Sequence, residues 1–475
     1  MQAFREPHVQ ERRYRARLQT GPRTRGAVAL PDGLPQVRSS RDGRRLDARN
    51  ARDQSSARST KEPRRRLGRR HLERSRVDHQ RHRVGCGERP RKKQRQKVRP
   101  QEQEAQEEVS AVSGFAGVVL PTAEAELWRY SRIGELDLGS FSPGVAATRV
   151  VGDSTREPRL ALADVSGETP DVFEALHHDS SSATGGTVRV ATQRGEVRAE
   201  PVLVTHEVGA AGAVVFPSLE IDAAENSEIT VVERFVSGEQ CRSLVVPMVK
   251  IRAAQSARVT YVAINELSRD TWLVGYQRAV GERDSAISSS TIALGGDYSR
   301  VRAAVRLVGQ GASAKQVALY FADRDQMHDF RTLQDHAAPR TRSDLLFKGA
   351  VRDRAKSVYT GLIKIRDNAE KSEAFQTNRN LTLSSGAWAE SVPNLEIETN
   401  DVKCSHASTV GPIDDEQRFY LESRGIRPEI AERLVVFGFF ADVIDRLPAA
   451  AQPDLLREKV GAKLAASPTV SGARA

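Results

Sequence analysis

The stretch VRAAVRLVG, residues 301–309, alternates along an extended chain. Val301, Ala303, Val305 and Leu307 fall on one face, Arg302 and Arg306 on the other. The runs around it have the same length and content: EITVVERFV (228–236), ARVTYVAINEL (257–267), AISSSTIALGG (286–296) and KQVALYFAD (315–323). Gly, Ser, Asn and Asp separate them, as turn residues separate strands. From about 186 to 400 no segment of helical period interrupts the series, which argues against alternating β-α-β units. A sandwich, a propeller and a β-solenoid remain. Small residues dominate, and aromatics make up only 5% of the chain. That composition favours stacked solenoid coils, whose inward rows are small and aliphatic, although no strict repeat length is visible.

The flanks read differently. Residues 122–137 suggest a short helix and turn carrying Trp128 and Tyr130, and 139–185 read as loop. Beyond the strands, Asp414 and Gln417 fit a capping box before DEQRFYLES, and Gly425 fits its end. Pro428 suits the first turn of a second helix, in which Ile430, Leu434, Phe437 or Gly438, and Val443 or Ile444 form a broad apolar face. The expected organisation is a leader (1–108), a helical and loop segment (109–185), a β-helix core (186–412) and a helical C-terminal domain (413–475).

Charge is unevenly distributed. Residues 1–100 hold 27 Arg and 4 Lys against 10 acidic residues, a net of +21, whereas the remaining residues are net −10. The basic balance therefore belongs to the leader, and the acidic body does not suggest a nucleic-acid surface. The leader has too few large apolar residues to offset chain entropy and reads as disordered. It is either a nucleic-acid-binding arm or a translated upstream stretch not native to the mature protein, with Val109 a candidate start. Three scattered cysteines (Cys86, Cys241, Cys404) cannot form a disulfide framework, which points to a reducing cytoplasm. No apolar run is long enough to span a bilayer.

Most chemical motifs are absent or misleading. GQGASAK (309–315) lacks the spacing of a phosphate loop and lies between strands. His177 and His178 sit in a Ser-rich stretch and read as solvated. His328 and His336 read as core or turn histidines. The informative stretch is DVKCSHASTVG, 401–411. On a strand, Cys404 and His406 share a face, and Lys403 and Ser405 take the other. A thiol beside an imidazole suits zinc, iron or an iron–sulfur species. It also suits a reactive thiol activated by the histidine, or a half-buried Cys next to a hydrogen-bonded His with no chemical role. Two ligands make only half a metal site.

Three segments carry a family resemblance: residues 330–365, residues 377–414 (including RNLTLSSGAWAESVPNLEI and KCSHAS) and FYLESRGI at 419–426. Together they resemble the SufB/SufD family of scaffold proteins of the Suf iron–sulfur cluster assembly system, and the SufD branch more closely. The resemblance is specific over about 330–440 and does not cover the leader. It implies a right-handed parallel β-helix with a helical C-terminal domain. It also implies a non-catalytic subunit in a heteromeric complex with SufB and the SufC ATPase, with no nucleic-acid or membrane partner. His406, with Cys404 in the same motif, would contribute to a transient iron–sulfur cluster shared with SufB and not held alone. Phe419, Tyr420, Arg424 and Gly425 would belong to the ATPase-docking domain. The family's motif commonly has Gly after the histidine where this chain has Ala407, which questions the local backbone. The alternatives to this scaffold are a Cys/His-dependent enzyme and a nucleic-acid-binding protein acting through the leader.

Overall fold

The computed structural model describes residues 115–466, apart from positions 116, 156, 158–159, 162–169, 181–185 and 210. The basic leader lies outside the described residues. In chain order the strands are β1 (Ser142–Pro143), β2 (Ala147–Val151), β3 (Thr187–Ala191), β4 (Val202–Val208), β5 (Ala213–Val215), β6 (Ser218–Ala223), β7 (Glu228–Ser237), β8 (Leu244–Val245), β9 (Met248–Ala253), β10 (Arg258–Glu266), β11 (Trp272–Gly281), β12 (Ala286–Ala293), β13 (Tyr298–Leu307), β14 (Ser313–Ala322), β15 (Met327–His336), β16 (Arg342–Val351), β17 (Lys356–Ile365), β18 (Glu373–Thr382), β19 (Trp388–Ile397) and β20 (Lys403–Gly411). The helices are α1 (Val172–Ser180), α2 (Asp415–Ser423), α3 (Pro428–Ile444) and α4 (Pro453–Ala466).

Successive strands go alternately to two sheets. The even strands from β10 to β20 extend a nine-stranded sheet that starts β2-β4-β7. An eleven-stranded sheet runs β1-β5-β8-β11-β13-β15-β17-β19, with β3, β6 and β9 joined through β11. Pairing is in register and parallel: Tyr298 lies beside Met327, and Met327 beside Lys356. Only β2 with β4 is antiparallel among the named pairs. The molecule is a β-solenoid, as the small-residue composition of the strand series favours, and the alternation at 301–309 is that of one of its strands. Val301, Ala303, Val305 and Leu307 of β13 are buried, while Arg302 and Arg306 point outward to acidic partners.

The lumen between the sheets is filled in the early coils by aliphatic residues such as Val204, Ile221, Val231 and Ile251. Later coils use Tyr320, Phe330, Phe347 and Tyr359. Burying each such side chain contributes roughly 1.5–3 kcal/mol. Both outer faces are also covered, so several strands are apolar on both sides. Val436, Phe440, Val443 and Ile444 of α3, with Leu456 and Val460 of α4, pack on Val262, Ile292, Leu319 and Phe321 of the nine-stranded sheet. The buried face of α3 agrees with the expected one at Val443 and Ile444, with Phe437 packed beside them, and departs from it in the first turns: Ile430 is half-buried and Leu434 is exposed, because the helix presents Ala431, Val436 and Phe440 to the sheet.

The N-terminal segment covers the other sheet. Residues 122–140 form three 3-10 turns in place of the expected short helix. The stretch expected to be loop includes β1, β2 and α1. Phe115 meets Phe216 at 6.2 Å at one end of this layer, and Tyr130 meets Trp388 at 5.9 Å at the other. Between them, Arg300 lies 4.1 Å over the Trp128 ring and donates to the Leu127 carbonyl, and Arg331 donates to the Arg129 carbonyl at 2.5 Å. Both arginines also pair with buried Asp329, at 2.5 and 2.8 Å. Burial alone would raise Asp329, but the two guanidinium groups outweigh it and hold the carboxyl below its usual range. Arg278, fully buried, pairs with Glu174 of α1 at 2.5 Å. His177 on α1 is also buried and donates from Nε2 to the Pro217 carbonyl at 3.0 Å. This corrects its reading as a solvated loop residue: Phe173, Glu174, Leu176 and His177 are the face of α1 that packs down.

Candidate functional site

Strands β19 and β20 end the two sheets, and each is paired on one side only. The last coil therefore leaves the lumen open. The register of β20 on β18 puts Cys404 over Ala374, His406 over Gln376, Ser408 over Asn378 and Val410 over Asn380. All four lower residues except Ala374 are polar, and all four are buried. They face the lumen, so Cys404, His406, Ser408 and Val410 line its mouth, and Lys403, Ser405, Ala407 and Thr409 face outward. Across the mouth, Leu395 and Ile397 of β19 stand over buried Ile363 and Ile365 and are 38% and 44% exposed. These are core positions with no coil above them.

Cys404 and His406 are thus on one face, as their spacing predicts. Their environments differ. Cys404 is half-buried beside Ile363, Ile365 and Ala374, and burial pushes its thiol up from its ordinary value. His406 is exposed. A catalytic thiol needs the opposite shift, toward thiolate, so the site is poorly suited to nucleophilic catalysis. Parallel side chains at i and i+2 also do not converge on each other. Among the described residues no three His, Cys, Asp or Glu side chains cluster to hold a metal ion. The pair would be completed only by ligands from outside the described residues. Ala407 lies within the extended backbone of β20, so its methyl group causes no left-handed strain.

The remaining predicted residues lie apart from this pair. Asp414 caps α2 by accepting from the backbone N–H of Glu416 and Gln417, at 2.9 and 3.4 Å. Gly425, with φ +83°, follows its end. No residue of α2 is buried. Phe419 is 71% and Tyr420 57% exposed, and Arg424 lies 5.0 Å over the Tyr420 ring. Sequence reading missed the layer beneath His406. That layer lies one coil earlier, and without a visible repeat the coil length is not known.

A family model described as SUF system FeS cluster assembly, SufBD core domain, matches residues 206–439. An iron-sulfur cluster assembly SufBD family protein of Mycobacterium bovis is 36% identical over 348 residues, covering 69% of this chain and 85% of that protein. The chain belongs to the SufBD family. Within that family it is similar to the iron-sulfur cluster assembly protein SufD of Escherichia coli, at 31% identity over 304 residues, covering 62% of this chain and 71% of that protein. SufD of Bacillus subtilis is 32% identical over 236 residues, covering 49% and 54% respectively. The SufBD core match ends within α3, so it includes β20 and α2. No helix among the described residues is long and apolar enough to cross a membrane.

Proposed function

We propose that this chain is a SufD-like, non-catalytic scaffold subunit that joins SufB through its open last coil and carries a SufC-type ATPase on its C-terminal helices. The observation that carries this reading is the pairing of an incomplete ligand set with an unpaired strand edge: Cys404 and His406 sit on β20, where a second chain can add both backbone pairing and further ligands. The exposed Leu395, Ile397 and Val410 give that partner an apolar surface to cover. The iron–sulfur cluster is cargo in this scheme, assembled between the two chains and passed on. His406 is the stronger ligand candidate. It is exposed and needs only an unprotonated nitrogen, whereas the raised Cys404 thiol must first lose its proton. The exposed rings of α2 offer a separate docking surface for the ATPase, whose movement would strain or open the inter-subunit edge.

The test is co-expression with SufB and SufC, followed by iron and sulfide assays on the purified complex. His406→Ala is expected to leave the complex assembled and stability within ~0.5 kcal/mol, since an exposed side chain is lost. Cluster content should fall by about tenfold or more. Cys404→Ser should have the smaller effect. Undiminished iron in His406→Ala would rule the site out.

A further inference from the structure

We propose that Gln376 is the positioning residue of the His406 site: its buried amide accepts the lumen-side N–H of the imidazole and so directs the other ring nitrogen, with its lone pair, out of the mouth. This rests on the reading of His406 as a cluster ligand. Gln376 lies directly under His406 in the β18–β20 register, and stacked residues of adjacent strands are about 4.8 Å apart. It is 2% exposed, and neither its Oε1 nor its Nε2 has a hydrogen-bond partner among the described residues. Buried amides without a partner are rare in folded proteins and are costly.

The surrounding polar groups are better satisfied. Asn380 donates to Asn378 at 2.8 Å, Tyr320 donates to Asn380 at 2.7 Å, and Gln334 donates to Ser343 at 2.7 Å. Gln316 and Gln334 leave one oxygen each without a partner, whereas Gln376 leaves its whole amide. Space for that amide comes from Gly361 on the facing strand β17. A Cβ there would stand 2.5 Å from Gln376 Nε2 and 2.7 Å from Cδ. The amide thus lies across the lumen as the floor of the mouth. Packing does not require a polar group here. One coil earlier the same column holds Leu345, fully buried. A metal-binding imidazole, by contrast, needs a hydrogen-bond acceptor on its second nitrogen to fix ring orientation and tautomer.

The test uses the metal-free chain and the complex together. In 15N-histidine spectra of the neutral imidazole, with His406 assigned by its loss in His406→Ala, the unmodified chain should show one dominant tautomer. Gln376→Leu and Gln376→Met should give a mixture, and Gln376→Glu, which keeps an acceptor, should restore the single form. The melting temperature of Gln376→Leu should stay close to that of the unmodified chain, because the loss of one bond to an exposed side chain is offset by removing a buried Nε2 that has no other partner. In the complex with SufB and SufC, its cluster content should drop by about tenfold. Unchanged tautomer populations in both Gln376→Leu and Gln376→Met overturn the proposal whatever the iron assay gives. A changed tautomer together with full cluster content in His406→Ala leaves the hydrogen bond standing and removes the metal-site reading on which its purpose depends.

Discussion

Three buried histidines make this molecule less stable as pH falls. Burial drives His177 down to about 4, against the opposing bond to Pro217 O. It drives His328 to about 3 and His336 to about 4. All three are neutral in the folded chain, whereas the unfolded chain protonates them near pH 6.5. Below that pH the unfolded state binds more protons, so their contribution to stability is whole above about pH 6.5 and is lost as pH falls toward 4. The slope is about 1.4 kcal/mol per pH unit for each histidine. Thermal melts between pH 7 and pH 4 should therefore fall steeply, and His177→Gln, which keeps a donor for Pro217 O, should flatten the fall without changing the melt above about pH 7. An unaltered slope would mean that His177 is not buried neutral. The sequence concealed this residue. The run HHDSSS is polar around it, and only the spacing of Phe173, Leu176 and His177 marks the packed face of α1.

The strands were legible because each carries its own alternation, as at 301–309. Their stacking was not, and the turns give the reason. A residue with positive φ recurs two positions before successive strands of the nine-stranded sheet: Asn226, Ser256, Asp284, Gly311, Arg340 and Lys371. Glycine would make that period visible, but here six residue types fill it. The caps of α2 were readable from Asp414 and Gly425, whereas the facing of α3 depends on a sheet surface that no local pattern reveals. For α2 the exposed pair Phe419 and Tyr420 allows a clean separation of roles. Replacing both by Ala should shift stability by less than ~0.5 kcal/mol, since neither is buried. If α2 docks the ATPase, the same change should weaken binding by about tenfold or more, measured by calorimetry against SufC. Unchanged affinity would move the docking surface elsewhere.

At the scale of the molecule, the solenoid is covered on both flanks and open at one end. Lys403 N–H donates to Ser372 O, toward β18. Because N–H groups alternate along a strand, those of Cys404, His406, Ser408 and Val410 point to the free edge. Proline at one of these positions removes only an outward donor, as edge strands tolerate. Ser408→Pro should accordingly leave the isolated chain folded, with a loss below about 1 kcal/mol, while abolishing co-purification with SufB. Retained association would show that the partner does not use this edge. The open end was partly legible, since DVKCSHASTVG precedes the helical region and reads as the last strand. Its polar floor was not, because Gln376 becomes a neighbour of His406 only through the register.

The layer running from Phe115 to Tyr130 also governs how the stack comes apart. Coils that touch only their neighbours unzip one at a time from a free end, the outermost with the least free energy. Here Tyr130 grips Trp388 at the start of β19, and the adjoining carbonyls of Leu127 and Arg129 hold Arg300 and Arg331, three and two coils further in along the same sheet. Peeling β19 away means lifting a strap fastened to those inner coils, so that side frays only as part of a larger cooperative unit. No such strap crosses β20 among the described contacts. The two lips of the mouth therefore open unequally, and the loose one carries Cys404 and His406: the rigid lip can serve as the fixed jaw against which a second subunit registers, while the other adjusts to it.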